Sequence, residues 1–507
     1  MEQLTGLDSA FLALETRTTT GHVGGVIVLD PSTAAGPVTF AGIRALMAER
    51  LTLVPLLRRR LVRVPLGLDQ PYWIEDRDFD LDFHIREVAL PEPGDQAQLC
   101  ELVGRLHSLP LDLDRPLWEM FVISGLSEGQ LALYTKVHHA AIDGVSGAEL
   151  LTVLLDLTPE PRPAPEDSWR GERHPFDVEL LGRAALSASA QPIKAVKLAG
   201  SIVGAAPRLG EAAVPYAAKM LDTVMGKEHA DGGIIGGLGL IPPVTPFNRS
   251  ITAHRRVAFR SVSLQQVKDV KNAHGVTVND VVMAMSTAAL RRWLQVHDAL
   301  PDAPLIAMVP VSVRSDDDRG TGNKVSAMFS TLPTNVDDPV ERLMNAHEST
   351  SRAKRQHMAL PQGLVEDVTE FMVPGLFNRA ARVSMSVSLG LFSRSNPSNI
   401  VISNVPGPNI PVYMAGAQML RYYPVAALAD GLGLNISVVG YLNELHFGLV
   451  ACRDTVPDIE AIADALVDEL AVLVDTLPSV TAADPQSRPD VVDLRTSQGI
   501  DSEPTLP

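Results

Sequence analysis

The sequence predicts a mixed α/β (α+β) protein built in two halves. Three observations lead there. The chain has 507 residues, more than one ordinary domain holds. Strand-like alternation and helix-like periodicity both occur near each end of it. Between them lies Thr158-Pro159-Glu160-Pro161-Arg162-Pro163-Ala164-Pro165. Proline at alternate positions permits neither helix nor central strand, so a stiff linker is expected. The expected division is an N-terminal half at 1–157, a linker with a helical insert at 158–249, a C-terminal half at 250–478 and a disordered tail at 479–507.

The elements follow in order. Residues 23–29 form a short apolar run that reads as a strand, and 40–51 read as a helix. A second helix is expected at 97–109, with Leu99, Leu102, Val103 and Leu106 facing inward. Residues 119–137 read as a hairpin turning at Ser127-Glu128-Gly129. A helical stripe through Ala148, Leu151, Leu154 and Leu155 marks 145–157. Residues 176–226 suggest two amphipathic helices broken near Pro207, packed between domains in preference to lying on a membrane. The glycine-rich stretch 232–239 lacks a following Gly-Lys-Ser/Thr, so it reads as a loop and not a phosphate cradle. Helices are expected at 264–273, 279–296 and 458–477, and a strand at 306–313. Asn279 or Asp280 would serve as N-cap of the middle helix. The tail from 480, rich in Asp, Ser, Pro and Thr, reads as disordered. One internal echo stands out. Gly125 to Leu131 with the apolar strand after it resembles Gly440 to Leu445 with 446–451, as if the halves were related.

Composition narrows the function. A net charge of -17 argues against nucleic acid, whose phosphates need clustered Lys and Arg, and against broad docking on anionic lipid. Hydrophobic contact with a membrane stays open. Two distant cysteines, Cys100 and Cys452, make neither a disulfide framework nor a zinc pattern, and no metal is expected. The first residues lack the basic and apolar regions of a signal peptide. The longest charge-free stretch, 395–420, contains Pro397, Pro406, Pro408 and Pro411, which disfavours a membrane-spanning helix. A cytoplasmic protein is expected, soluble or peripheral to the inner membrane face or lipid droplets.

The chemistry centres on His138-His139-Ala140-Ala141-Ile142-Asp143-Gly144. Histidine is the side chain best placed to take a proton near neutral pH. Leu131, Leu133, Thr135 and Val137 share one strand face; Ala132, Tyr134, Lys136 and His138 share the other. If the strand reaches His139, that ring points to the more apolar side. Burial there would keep it neutral. Asp143-Gly144 then turns the chain into a helix.

This seven-residue pattern resembles the signature of acyltransferases with the chloramphenicol-acetyltransferase fold. Further segments narrow it. Leu7-Asp8-Ser9-Ala10-Phe11-Leu12 with His22-Val23-Gly24, Pro116-Leu117-Trp118, and Thr277-Val278-Asn279-Asp280 resemble motifs of the bacterial wax ester synthase/diacylglycerol acyltransferase family. So do Pro310-Val311-Ser312-Val313-Arg314 with Gly322-Asn323, and Ser403-Asn404-Val405-Pro406-Gly407-Pro408. The likeness spans about residues 4 to 475. It implies two chloramphenicol-acetyltransferase-like subdomains forming a cleft. It implies acyl transfer from acyl-CoA, a co-substrate and not a bound cofactor, to diacylglycerol or a long-chain alcohol. His139 would be the general base. Asn279 would donate to the oxyanion or only cap its helix. Asp143 would make a structural salt bridge to an arginine elsewhere, or orient the imidazole. His138 would support packing or assist binding. Asp280 would hold its loop, and Gly144, Trp118 and Asn404 would support the site. Residues 281–290 and 383–392 would line an acyl channel, or more simply form core. The alternatives are another hydroxyl acceptor, or a non-catalytic lipid-binding or droplet protein of the same fold.

Overall fold

The computed structural model describes residues 1–141, 154–189, 242–312, 325–359 and 397–477. Its strands are β1 (Glu2–Gln3), β2 (His22–Asp30), β3 (Arg59–Val62), β4 (Tyr72–Glu75), β5 (Ile85–Ala89), β6 (Trp118–Ser124), β7 (Leu131–His138), β8 (Arg255–Ser263), β9 (Leu305–Ser312), β10 (Val325–Leu332), β11 (Ile400–Val405), β12 (Tyr413–Met414), β13 (Ala417–Val425), β14 (Leu434–Tyr441) and β15 (Glu444–Cys452). The helices are α1 (Gly6–Leu14), α2 (Phe40–Arg50), α3 (Leu81–His84), α4 (Gln96–His107), α5 (Asp177–Ser189), α6 (Leu264–His274), α7 (Val278–Val296), α8 (Pro339–Ala359) and α9 (Ile459–Asp475).

Two six-stranded sheets organise the chain. One runs β12-β13-β2-β7-β6-β5, the other β10-β9-β11-β14-β15-β8. A small sheet, β1-β4-β3, buries one face against Leu180 and Ala184 of α5. The expected mixed α/β architecture is present, and the sequence echo acquires a physical basis. In the first sheet β2 and β7 are antiparallel, β7 and β6 antiparallel, β6 and β5 parallel. In the second, β8-β15-β14-β11 repeats that order and those directions. The hairpin β6–β7 is thus matched by β14–β15, and His138 by Cys452 at the strand end.

The sheets do not respect the sequence boundary at 250. Strand β13, from the C-terminal half, pairs antiparallel with β2 from Gln418↔Asp30 to Val425↔Gly24. It also touches the second sheet at the backbone, where a Cβ on Gly448 of β15 would lie 1.7 Å from the Pro424 carbonyl oxygen. A shared core fills the space between: Val26, Phe121 and Tyr134 from one sheet, Val257, Phe259 and Val450 from the other, and Leu99, Leu102 and Val103 of α4.

Local chemistry sets the helix starts. Asp95 and Gln98 make a reciprocal capping box on α4. On α7 the cap is Thr277, not Asn279 or Asp280 as expected; Asp280 is the third helical residue, and its side chain returns to the Thr277 N–H. Threonine wins because its hydroxyl reaches the Asp280 N–H from outside the helix while Asp280 closes the box. The 281–290 stretch is fully embedded core, so the simpler of its two readings holds. The end of the first half is tied down by a buried ion pair. Arg50 of α2 grips Asp156 through one nitrogen, at 2.6 and 2.8 Å. The expected elements at 145–153, 190–226, 232–239 and 383–392, the segment 313–324, and the tail lie outside the described residues.

Candidate active site

Strand β7 ends one residue earlier than the strand reading needed. His138 is its last residue, and His139–Ala141 forms a single 3-10 turn. His139 is therefore aimed by the turn and not by strand alternation. Its N–H still reaches across to β2's approach, donating to the Gly21 carbonyl at 2.8 Å. Helix α1 packs against this turn. The Phe11 ring stacks on the imidazole, with centroids 4.0 Å apart and 18° between planes. The imidazole is half-buried. Burial lowers its pKa, and a hydrogen bond with its own main chain opposes that shift. At neutral pH the ring is an uncharged base.

His138 is fully buried on the opposite side. Its Nδ1 accepts from the Ala140 N–H at 3.0 Å. Its Nε2 faces the Glu15 carboxylate at 3.8 Å. Burial, and then the neighbouring His139, push its pKa down to about 3. It is a neutral structural ring. Beside it lies a buried polar row: His22, opposite His138 in the β2–β7 ladder, meets the His107 carbonyl at 2.9 Å, and His107 Nδ1 meets the Tyr134 hydroxyl at 2.8 Å. Lys136 of the same strand is buried on Glu119 at 2.8 Å.

The C-terminal half holds the second group. Asn279 is half-buried in the first turn of α7, and Asn404 of β11 donates to its Oδ1 at 3.4 Å. Asp280 is a buried hub. It accepts from the Thr277 N–H and hydroxyl, the Thr350 hydroxyl and His347 Nδ1. These bonds outweigh burial and lower its pKa. It locks α7 to α8 and thereby sets where Asn279 sits.

Trp118 is a packing residue. Its indole N–H donates to the Leu57 carbonyl at 2.7 Å, and its ring stacks on His84. Asp143 and Gly144 lie outside the described residues. Glu15, His107, His347 and Thr350 were not singled out by sequence reasoning. Glu15 follows the quoted N-terminal motif by three residues, which was the one available signal; the others carry none. Among the described residues, no group of three or more His, Cys, Asp or Glu side chains is placed to hold a metal. Cys100 and Cys452 are both buried free thiols.

The profile of the wax ester synthase/diacylglycerol acyltransferase catalytic domain matches residues 4–282, and that of the family's C-terminal domain matches 321–473. The chain belongs to this family. A Mycobacterium tuberculosis protein named as a probable diacylglycerol O-acyltransferase is 37% identical over 475 residues, 91% of this chain and 96% of that one. A second protein of that organism with the same named activity is 36% identical, covering 94% of this chain and 90% of its own length. The wax ester synthase/diacylglycerol acyltransferase of Marinobacter aquaeolei VT8 superposes with a TM-score of 0.65 at 31% identity, over 93% of this chain and 98% of that one. The first condensation domain of the calcium-dependent antibiotic synthetase shares the fold, at a TM-score of 0.56 and 17% identity, over 94% of this chain and 97% of that one. As in the sequence resemblance, this family member carries its histidines where a strand of the N-terminal sheet ends in a turn, and its Asn-Asp pair at the start of a C-terminal helix.

Proposed function

We propose that this chain is an acyl-CoA-dependent O-acyltransferase that esterifies diacylglycerol to triacylglycerol, and long-chain alcohols to wax esters, with His139 as general base. Family membership supports the reaction class. The observation that supports the base is the His139 ring itself: neutral, half-buried, stacked on Phe11 and fixed at the end of β7. An alcohol attacks a thioester poorly until a base takes its proton in the transition state. The imidazole takes that proton as the acceptor oxygen bonds to the acyl carbon. The tetrahedral intermediate collapses with cleavage of the carbon–sulfur bond, and the proton passes to the departing CoA thiolate. No acyl-enzyme is required.

Asn279 is assigned to the oxyanion. Thr277 and Asp280 already cap the helix, so capping is not what this side chain supplies. Asn404 engages its carbonyl end, which orients its NH₂ end for donation. Acceptor and product are insoluble lipids, so the enzyme works peripherally, at a membrane or droplet surface.

The test is direct. Incubate the protein with palmitoyl-CoA and either diacylglycerol or hexadecanol, and measure free thiol and neutral lipid. Thiol release with ester formation is expected, and abolished in His139→Ala. No release with any hydroxyl acceptor would replace this reading with a lipid-binding protein.

A further inference from the structure

Three residues close a circuit with the histidine pair. The Gly21 N–H approaches Glu15 Oε1 at 3.4 Å, and the Gly21 carbonyl accepts the His139 N–H at 2.8 Å. The next residue, Ala140, donates its N–H to His138 Nδ1 at 3.0 Å. His138 Nε2 returns to Glu15 Oε2 at 3.8 Å. Because Nδ1 accepts, a neutral ring carries its proton on Nε2, the atom that faces the carboxylate. Both atoms of that last contact are buried, and neither has a hydrogen-bond partner among the described residues. A closure of about 1 Å would bring them to hydrogen-bond length. Gly21 makes the approach possible: a Cβ there would lie 2.3 Å from His138 Nε2.

We propose that Glu15 is a positioning residue for acyl transfer: it accepts from His138 Nε2–H, fixes that ring, and through the Ala140 N–H sets the turn that aims His139. This rests on the reading of His139 as base. The carboxylate sits at the C-terminal boundary of α1, the helix that also supplies Phe11. One helix therefore holds the base by its face and its neighbour by its edge. Burial raises the Glu15 pKa, against the Gly21 N–H and the charge of Arg63. The bond needs only an acceptor oxygen, which a glutamine amide also carries, so glutamine should replace the acid in part.

The experiment compares Glu15→Ala, Glu15→Gln, Gly21→Ala and His139→Ala with the parent enzyme, using palmitoyl-CoA and diacylglycerol. Glu15→Ala should lose on the order of 10²-fold in kcat, because a small misplacement of a reacting group is that costly. Its KM for palmitoyl-CoA should stay within about twofold, as no binding contact is removed. Glu15→Gln should recover about tenfold or more of that loss. Gly21→Ala, which keeps the acid but displaces the ring, should lose kcat similarly. Full kcat in Glu15→Ala or in Gly21→Ala overturns the proposal, as does Glu15→Gln no better than Glu15→Ala. If Glu15→Ala does not fold, Glu15→Gln must exceed Gly21→Ala in kcat; equal or lower kcat overturns the proposal. Turnover surviving in His139→Ala would instead overturn the base assignment, a different failure.

Discussion

The Phe11 ring lies flat against the His139 imidazole, 4.0 Å between centroids. The contact has a meaning beyond packing. When the imidazole takes a proton it becomes a cation resting on an aromatic face, which stabilises it. The unprotonated ring gains only the smaller stacking energy. Phe11→Leu keeps the bulk and removes the face. We expect a lower kcat with a stability loss of about 1 kcal/mol or less, measured by steady-state kinetics beside thermal melting. Unchanged kcat would reduce Phe11 to packing.

The start of α7 separates two roles that sit two residues apart. Thr277→Ala removes the cap and should cost about 1 kcal/mol of stability with a small change in kcat. Asn279→Ala should leave stability near the parent and lower kcat by roughly 10²- to 10³-fold, the loss typical of one oxyanion donor. Urea melts and initial rates on both variants check this. The reverse pattern would make Asn279 structural.

Arg50 and Asp156 are fully desolvated, at 0% and 3% side-chain exposure. Removing Asp156 strips the buried Arg50 of its carboxylate, and removing Arg50 leaves Asp156 with only the more exposed Arg162, 3.7 Å away. Arg50→Ala and Asp156→Ala should each destabilise by about 3–5 kcal/mol in chemical denaturation. The double variant should be less damaging than the two losses summed.

Stability should fall in mild acid. His22, His107, His138 and His446 are all fully buried. Burial holds His107 and His138 at about 3, His446 at about 4, and His22 well below its ordinary value. Unfolded histidines titrate near 6.5. Between that value and the folded ones, the unfolded chain binds more protons. Stability is complete above about 6.5 and is lost as pH drops toward 3–4, at roughly 1 kcal/mol per pH unit per histidine. Glu15 and Glu469, with raised values, act in the opposite sense nearer their own range, and His84 and His139, also lowered by burial, add to the histidine side. Urea midpoints should stay level from about pH 7.5 to about pH 6.5 and fall from there to about pH 5, and His446→Gln should flatten that fall. A flat profile would contradict the burial of these rings.

Much of the fold was legible because periodicity reports burial. The hairpin through Ser127-Glu128-Gly129 and the helix at 97–109 appear within a residue or two, as β6–β7 and α4. The repeat at 440–451 was readable as a hairpin, and its partner sheet follows. What sequence could not show was pairing at long range. Nothing in 417–425 says that it joins a strand nearly four hundred residues earlier, since register is set by tertiary contact. At the site, the histidines and Asn279 announced themselves by motif. Glu15 did not, because its significance lies in one distance across the turn. The strand at 131–138 was readable, but whether it reached His139 stayed open, because a period-two pattern carries no signal for where pairing stops.

Strand β13 has a consequence for how the chain is made. As the nascent protein leaves the ribosome, β2 emerges early and has β7 on one side, while its other edge must wait until Ala417–Val425 is synthesised. Open strand edges invite wrong pairing. A histidine-bearing fragment cut off before that strand would keep that edge bare, so truncation should yield aggregates and no working half-enzyme.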